Sequence, residues 1–227
     1  KTFKAHPNAA TYVDYRVMLE KQKDIDAVVI ATPDHTHAVI TMAAIEMGKH
    51  VYCQKPLTHT VEEARKITAA ARASKVQTQM GNQGHSSDAI RVVREWVQSG
   101  SIGDVKEVHA WTDRPDDGPW YANFGARDLP SDFPAVPDSL NWDLWLGPTQ
   151  DRKFSPAYHP FKWRAWLDFG TGALGDMGCH ILDPACWALD LMNPSSITAE
   201  VKHHKPELAG KAHPIAATVT YEFPQRG

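Results

Sequence analysis

The first eighty residues alternate between strand and helix patterns, and this alternation limits the possible folds more than any other feature of the sequence. Predicted strands lie at 26–31, 50–53 and 76–80, and predicted helices at 14–23, 35–47 and 60–73. Thr60 and Glu63 form a capping box at the start of the third helix, and Gly48 ends the second. Strands joined by single helices form parallel β-α-β units. The sequence therefore predicts an α/β protein with a doubly wound parallel sheet, in which the apolar run Val28–Ile30 is covered on both faces.

The pattern changes after residue 82. An amphipathic helix is predicted from Ser87 to Ser99, then a strand over Val105–Trp111, and then a passage rich in proline, aspartate and aromatic residues from Asp113 to Pro160. Two further strands are predicted at 196–201 and 215–223. We therefore expect two domains, one over residues 1–82 and a second α/β domain over residues 83–227, with ordered long loops in the second.

Charge and composition restrict the class of protein. The formal net charge is −3, no apolar run approaches the roughly 20 residues that span a bilayer, and no basic block suggests a nucleic-acid partner. Cys53, Cys179 and Cys186 fit no Cys-x-x-Cys zinc pattern and are expected to be reduced. We expect a soluble protein without membrane or nucleic-acid partners, in the cytoplasm. Because the chain begins at Lys1 rather than methionine, export stays an alternative.

Polar residues follow each of the three predicted strands. The segments are Thr32-Pro-Asp-His-Thr-His37, Gln54-Lys-Pro56 and Gly81-Asn-Gln-Gly-His85. In open α/β sheets, ligands bind beyond the carboxyl ends of the strands. The sequence therefore predicts a ligand site at this edge of the sheet.

A second chemical feature follows the glycine-rich turn Gly170–Gly175. Asp176, His180 and Asp183 stand at helical spacing i, i+4 and i+7, which places them on one helix face. A carboxylate one turn before an imidazole can orient the ring and stabilise the cation formed when it accepts a proton. This face is a candidate catalytic face, and a solvated polar helix face is the alternative.

Three groups of residues together resemble the Gfo/Idh/MocA oxidoreductases: Ala31-Thr-Pro33 with His37, Gln54-Lys-Pro56, and Asp176-x-x-x-His180 behind its glycines. Their order and spacing are similar to the family's from about Tyr12 to Leu191. The resemblance implies an enzyme that uses NAD or NADP to oxidise or reduce sugars, polyols or related carbohydrates at a CH–OH group. It implies that residues 1–82 are the C-terminal part of a Rossmann domain. It also implies that residues 83–227 are part of a substrate-binding domain with an open, mainly antiparallel sheet that forms a homodimer or homotetramer.

The resemblance implies roles for individual residues. Lys55 would stabilise a developing alkoxide, His180 would act as the base, and Asp176 would bind a neighbouring hydroxyl or hold His180. Cofactor contacts are implied for Thr32, Pro33, His37, Gln54, Lys55 and Gln83. Substrate contacts are implied for Trp163, Arg164, Asp176 and His180, and no metal ligand is assigned.

The chain also departs from the family pattern. Gln54 stands where the family usually has glutamate, so a ribose contact there would rest on a neutral amide. The family's glycine-rich loop would precede Lys1 and the rest of the second sheet would follow Gly227, so we expect the chain alone to bind the cofactor poorly and to be inactive by itself. Gly170-x-Gly-x-x-Gly175 matches the loop in letters, but no buried strand is predicted before it, and we do not assign it.

Three other functions are compatible with these residues. An NAD-dependent glycosidase of the same fold would oxidise the sugar transiently and return the cofactor unchanged, so cofactor turnover distinguishes it. A metal enzyme would use Asp176, His180 and His85 as ligands. A non-catalytic sugar-binding relative would not require Lys55 and His180 as reacting groups.

Overall fold

The computed structural model describes residues 2–114 and 124–225. Its helices are α1 (Thr2–Ala5), α2 (Tyr15–Lys21), α3 (Asp34–Glu46), α4 (Val61–Ala73), α5 (Asp88–Gln98), α6 (Trp142–Leu146), α7 (Gly172–Ile181) and α8 (Asp183–Leu189). Its strands are β1 (Ala27–Ile30), β2 (His50–Gln54), β3 (Thr78–Gly81), β4 (Ser196–Lys202) and β5 (Ala216–Glu222). Short 3-10 turns cover Gln83–Ser86, Lys162–Ala165 and Pro206–Leu208.

β1, β2 and β3 form a parallel sheet in chain order. Ile30 pairs with Cys53 and Gln54 pairs with Gly81, so the three strands end at the same edge. α3 connects β1 to β2, and α4 connects β2 to β3, as single crossover helices. The predicted Rossmann-like parallel sheet is confirmed.

Local sequence signals set the helix boundaries. The Asp14 carboxylate accepts from the Arg16 backbone N–H at the start of α2. At the start of α4, the Thr60 hydroxyl accepts from the Glu63 N–H, and the Glu63 carboxylate accepts from the Thr60 N–H. Gly48 follows α3 with φ +72°, a left-handed conformation that glycine adopts without a Cβ penalty. These predicted boundaries are confirmed.

The first hydrophobic core lies between one face of this sheet and α2, α3 and α4. Its buried members include Leu19, Val28, Ile30, Ala44, Val51, Cys53 and Ile67. Val29 points to the opposite face and is 71% exposed. The expectation that the run Val28–Ile30 is covered on both faces is therefore wrong for Val29, because the described helices of this core cover only one face.

A second core is built mainly from aromatic side chains of the region 142–169. Trp142 stacks on Trp145 with ring centres 4.7 Å apart, and Phe169 is fully buried among the rings of Trp145 and Tyr158. The long loops predicted between residues 113 and 160 are ordered over residues 124–160, whereas residues 115–123 lie outside the described part. Here the loops bury large aromatic side chains, which holds them without long helices or strands.

Two predictions concern strands of the second half. The strand predicted over Val105–Trp111 is wrong: these residues belong to neither sheet, and Trp111 is 80% exposed. Valine and tryptophan side chains are typical of strands, but a strand needs a hydrogen-bonded partner, and the described residues provide none for this segment. The strands predicted near 196–201 and 215–223 are confirmed as β4 and β5, an antiparallel pair with Ser196 opposite Glu222.

Candidate active site

A cleft opens beyond the carboxyl ends of β1 and β2, where the sequence predicts a ligand site. Its volume is about 190 Å³. Its walls come from the strand-end loops on one side and from the Lys162–Ala165 turn and α7 on the other. The lining residues are Ala31, Thr32, Asp34, His37, Gln54, Lys55, Trp163, Arg164 and Asp176.

Lys55 and Asp176 form the central ion pair of the cleft. The Lys55 ammonium donates to the Asp176 side chain (Nζ to Oδ1, 2.7 Å) and to the Asp176 backbone carbonyl oxygen (2.9 Å). The two side chains are only 18% and 11% exposed. The contact joins the loop after β2 to α7, two elements that are 121 residues apart in the sequence.

Two arginines add positive charge around the same carboxylate. Arg114 donates from Nη1 to Asp176 Oδ2 at 2.6 Å, and Arg164 Nε lies 3.9 Å from Asp176 Oδ1. The Arg164 guanidinium carbon lies 4.1 Å from the ring centres of both Trp163 and Phe161. Burial lowers the pKa of Arg164, but the group stays cationic at neutral pH. Asp176 is therefore surrounded by cations and acts as their common anion.

The suggestion that Asp176 holds the His180 ring is corrected by the structure. No hydrogen bond joins the two side chains in the described structure; the Asp176 carboxylate accepts from Lys55 and Arg114. The prediction that Asp176, His180 and Asp183 lie on one face of one helix is also wrong. Pro184 lacks the N–H that would donate to the His180 carbonyl, so α7 ends at Ile181, and Asp183 begins α8.

His180 lies one helical turn beyond Asp176 and is half-buried. Burial and the nearby Lys55 charge lower the pKa of its imidazole, while Asp176 acts in the opposite direction. The ring is therefore neutral at pH 7 and able to accept a proton. His180 is close enough to Lys55 to experience its charge, but it is not among the residues that line the 190 Å³ cleft.

The predicted cofactor residues lie together at the strand ends. The Gln83 amide donates from Nε2 to Gln54 Oε1 at 2.8 Å, which joins the loops after β2 and β3. The Thr32 hydroxyl accepts from Thr36 at 2.7 Å, within the first turn of α3. Pro33 is the residue before α3. Of the six predicted residues, Thr32, His37, Gln54 and Lys55 line the cleft.

His37 departs from the role of a direct ligand contact. Its side chain is buried, and its two ring nitrogens face the backbone carbonyl oxygens of Pro56 and Thr32. Neither nitrogen is available to a bound molecule in this arrangement. His37 lies at the base of the cleft, between the loops after β1 and β2.

Two charged residues at this site were not predicted from the sequence. Asp34 lines the cleft, accepts from the Thr171 hydroxyl at 2.9 Å, and has its pKa raised by burial. Its position directly after Pro33 at a strand end could have identified it. Arg114 carries no such signal, because it follows an irregular segment and meets Asp176 only through the tertiary fold.

A separate histidine–carboxylate pair lies next to the site. His85 Nδ1 is 2.9 Å from Asp183 Oδ2, and the ring packs on Trp187 at 4.7 Å between centres. His85 is the third residue, with Asp176 and His180, of the metal site that the sequence offers as an alternative. The described residues contain no cluster of three or more His, Cys, Asp or Glu side chains that could hold a metal ion.

The glycines of the turn 170–175 serve packing. A Cβ atom at Gly170 would lie 2.5 Å from the Arg164 Cα atom, and Gly172 has φ +64°. The residues before this turn form a 3-10 turn and the isolated bridge at Trp166, so no buried strand precedes it. The turn brings α7 close to Arg164, which positions Asp176 beside both Arg164 and Lys55.

In the described residues, no helix is long and apolar enough to cross a membrane.

Two family models match consecutive parts of the chain. The model "Oxidoreductase family, NAD-binding Rossmann fold" covers residues 1–82, and the model "Oxidoreductase family, C-terminal alpha/beta domain" covers residues 88–223.

Curated relatives share moderate identity. A levoglucosan dehydrogenase of Pseudarthrobacter phenanthrenivorans is 28% identical over 173 residues, which are 76% of this chain and 35% of that protein. A 1,5-anhydro-D-fructose reductase of Ensifer adhaerens is 40% identical over 80 residues, which are 35% of this chain and 24% of that protein. The matched part thus spans about a quarter to a third of the length of these relatives.

Solved structures share the fold. An inositol dehydrogenase homologue of Azotobacter vinelandii, complexed with NADH and myo-inositol, superposes with a TM-score of 0.64 at 23% identity, over 93% of this chain and 46% of that one. A levoglucosan dehydrogenase complexed with NADH and levoglucosan gives a TM-score of 0.58 at 24% identity, over 93% of this chain and 48% of that one.

Proposed function

The chain belongs to the Gfo/Idh/MocA oxidoreductase family, and on this premise we propose that its protein transfers a hydride between a nicotinamide dinucleotide and a carbohydrate hydroxyl. The observation that carries the proposal is the Lys55–Asp176 ion pair, in which a partly buried cation lies at the strand-end edge of a Rossmann-like sheet. Residues 1–82 would belong to the cofactor domain and residues 83–227 to the substrate domain.

The chemistry of the cleft fits a nicotinamide nucleoside. Ribose hydroxyls and a carboxamide require hydrogen-bond donors and acceptors, which the Gln54 amide, the Thr32 hydroxyl and the Lys55 ammonium provide. The Gln83–Gln54 hydrogen bond would hold the Gln54 amide in one orientation. When bound, the cofactor supplies the hydride acceptor or donor. We propose Thr32, Pro33, Gln54, Lys55 and Gln83 as the contacting residues, with His37 supporting them from below.

Lys55 would stabilise the negative charge that develops on the substrate oxygen. A partly buried ammonium acts more strongly on such a charge than one in bulk water, because less solvent screens it. Asp176 would hold the Lys55 ammonium at the cleft, since its carboxylate and its backbone carbonyl both accept from Nζ. Asp176 would therefore act on the lysine more than on the histidine.

His180 would take the hydroxyl proton. A general base must be unprotonated in the resting site, and the lowered pKa of His180 provides this at neutral pH. Trp163 and Arg164 would contact the substrate, Trp163 with its apolar ring and Arg164 with its guanidinium N–H groups. In the structure, the Nη1 group of Arg164 donates to the Phe161 carbonyl at 3.3 Å.

We also propose that the protein forms a homo-oligomer through β4 and β5. No residue of these two strands is buried in the described chain, and Ile197 and Val201 are each more than half exposed. An exposed apolar sheet of this kind is typical of a surface that packs against another copy. Light scattering of the gene-encoded protein would give its mass in solution.

The test of the function is net cofactor turnover. The protein as its gene encodes it is incubated with NAD or NADP and levoglucosan or myo-inositol, or with the reduced cofactor and 1,5-anhydro-D-fructose, and absorbance of the reduced nicotinamide is followed. These three compounds occur in the names of two relatives and of one solved structure, and we call them the carbohydrate panel. We expect cofactor conversion equal to substrate conversion. Hydrolysis of an aryl glycoside without net cofactor conversion would instead indicate the NAD-dependent glycosidase, and saturable sugar binding without conversion would indicate a binding protein.

A further inference from the structure

Two buried histidines stand two residues apart on α3, and each faces two carbonyl oxygens. His37 Nδ1 lies 2.7 Å from the Pro56 oxygen, and His37 Nε2 lies 2.8 Å from the Thr32 oxygen. A carbonyl oxygen only accepts, so each of these contacts is a hydrogen bond only when the ring nitrogen carries a proton. Both contacts together require the doubly protonated imidazolium.

His35 provides a contrast within the same helix. Its Nε2 lies 2.8 Å from the Trp145 oxygen, while its Nδ1 lies 3.3 Å from the Phe169 oxygen, which already accepts from the His35 backbone N–H. This Nδ1 contact of His35 is longer, and therefore weaker, than either ring contact of His37. Burial lowers the pKa of His35 to about 4, so this ring is neutral at pH 7.

The groups around His37 differ from those around His35. Burial opposes the charged form of His37, and so does its place near the start of α3. Cys53 on β2, the Pro56 carbonyl and the Asp34 carboxylate one turn earlier act in the opposite direction, and the pKa of His37 is raised. The protonation state rests on the two carbonyl contacts of the ring, at 2.7 and 2.8 Å. The Lys55 ammonium, in the residue before Pro56, is drawn towards Asp176 on α7.

We propose that His37 is a buried imidazolium at neutral pH and a positioning residue that ties the Thr32–Pro33 loop to the Lys55–Pro56 loop. Its two N–H groups bridge the segments that follow β1 and β2, directly below the cleft. It fixes the backbone next to Lys55 without touching a bound molecule. That this matters for catalysis rests on the proposed function, whereas the protonation state and the bridge are properties of the chain itself.

Nitrogen NMR of the chain tests the protonation state. The histidine rings of ¹⁵N,¹³C-labelled protein are assigned through bonds from their own backbone amides, and their ring nitrogens are observed from pH 6 to 8. We expect two protonated nitrogens for His37 and one protonated and one unprotonated nitrogen for His35. One unprotonated ring nitrogen in His37 at pH 7 would overturn the proposal. The result does not depend on enzymatic activity, so its failure leaves hydride transfer open.

Amide hydrogen exchange tests the bridge. In His37→Leu, which removes both donors, we expect the amides of 53–57 to exchange at least about tenfold faster, since a hydrogen bond from a charged group is lost. Amides at the start of β2, such as Val51, should keep their rates, and Pro56 within 53–57 carries no amide proton. His37→Gln keeps an N–H donor without the charge and should give a smaller increase; it also serves as the test variant if His37→Leu does not fold. Unchanged exchange at 53–57 in a folded variant would contradict the bridge.

Discussion

The Nζ atom of Lys55 lies 2.7 Å from the Oδ1 atom of Asp176, and this contact joins the loop after β2 to α7. The same carboxylate accepts from Arg114 and lies 3.9 Å from Arg164, so one anion holds three cations around the cleft. Substitution of Lys55 and substitution of Asp176 should therefore have different consequences. The first removes the charge that would act on the substrate, and the second removes the anion that holds this charge in place.

Loss of the lysine charge should affect catalysis more than folding. In the gene-encoded protein, we expect Lys55→Met to reduce kcat with the carbohydrate panel by about 10²-fold or more, as is observed when a group that stabilises a developing oxyanion is removed. Steady-state kinetics measure this. Lys66→Met is the matched control, because Lys66 is 66% exposed and pairs only with Glu62 on the surface of α4. Equal kcat values for Lys55→Met and wild type would remove Lys55 from the reaction.

Loss of the carboxylate should affect folding more strongly. Asp176→Asn leaves the charges of Lys55, Arg114 and Arg164 without their common anion, and we expect the free energy of unfolding to fall by up to about 3 kcal/mol. Urea unfolding of the chain measures this. Asp168→Asn is the control: its pair with Arg152 is also 2.7 Å long, but Asp168 is 54% exposed, so less than about 1 kcal/mol should be lost. Similar losses in both variants would show that Asp176 has no special structural role.

Much of the first half was predictable, because its signals are local. Capping by Asp14, by Thr60 with Glu63 and by Gly48 depends on residues within one turn, and each boundary is found where it was predicted. The exposure of Val29 was not predictable, since it depends on which elements cover the sheet.

Several residues that line the cleft were predictable from the sequence, whereas Asp34, Arg114 and the contacts between the residues were not predicted. Strand-end position and the spacing of Asp176 and His180 identified the loops and helix that surround the cleft. The sequence could not reveal that Asp176 accepts from Lys55 and Arg114 instead of orienting His180, because these contacts span 121 and 62 residues. The break before Asp183 was readable from Pro184, which the i, i+4, i+7 interpretation overlooked.

Stability should depend on pH through His35. Its pKa is lowered to about 4 in the folded chain from the ordinary 6.5, so the unfolded chain binds more protons between these values and stability rises with pH across that window. The difference corresponds to about 3 kcal/mol, present above pH 6.5 and lost as the pH falls to 4. Urea unfolding from pH 4.5 to 7 should show a smaller slope in His35→Gln. His109→Gln, a change at a 75% exposed ring, should keep the wild-type slope; an unchanged slope in His35→Gln would refute the assignment.

The 227-residue chain by itself should bind NAD and NADP weakly. A Rossmann domain binds the pyrophosphate mainly with a glycine-rich loop at a helix N-terminus, and the glycine turn before α7 has no preceding strand. Calorimetry with both cofactors measures this, with the gene-encoded protein as the comparison, for which we expect clear binding of at least one of them. Tight binding by the 227-residue chain would show that its phosphate site lies within the residues described above.

The activity of the protein should depend on pH through His180. A base acts when unprotonated, so kcat should rise as the pH increases through the pKa of His180, which is lowered below the ordinary histidine value of 6.5. We therefore expect an acid limb below pH 6.5 that is absent in His180→Asn, with kcat lowered about 10²–10⁴-fold. His109→Asn should retain both the rate and the limb. If the limb persists in His180→Asn and disappears in His85→Asn, the base is His85, which Asp183 orients.

The most direct test of the central claim, that Lys55 and His180 act together on one substrate hydroxyl, is a double-mutant cycle on kcat/KM. Lys55→Met, His180→Asn and the double variant of the gene-encoded protein are compared with wild type on one verified substrate. Because residues that act as a unit in one transition state are strongly non-additive, we expect the double variant to be no more than about tenfold slower than the slower single variant. Losses that multiply in full would contradict the account, since they would show that the two side chains act independently.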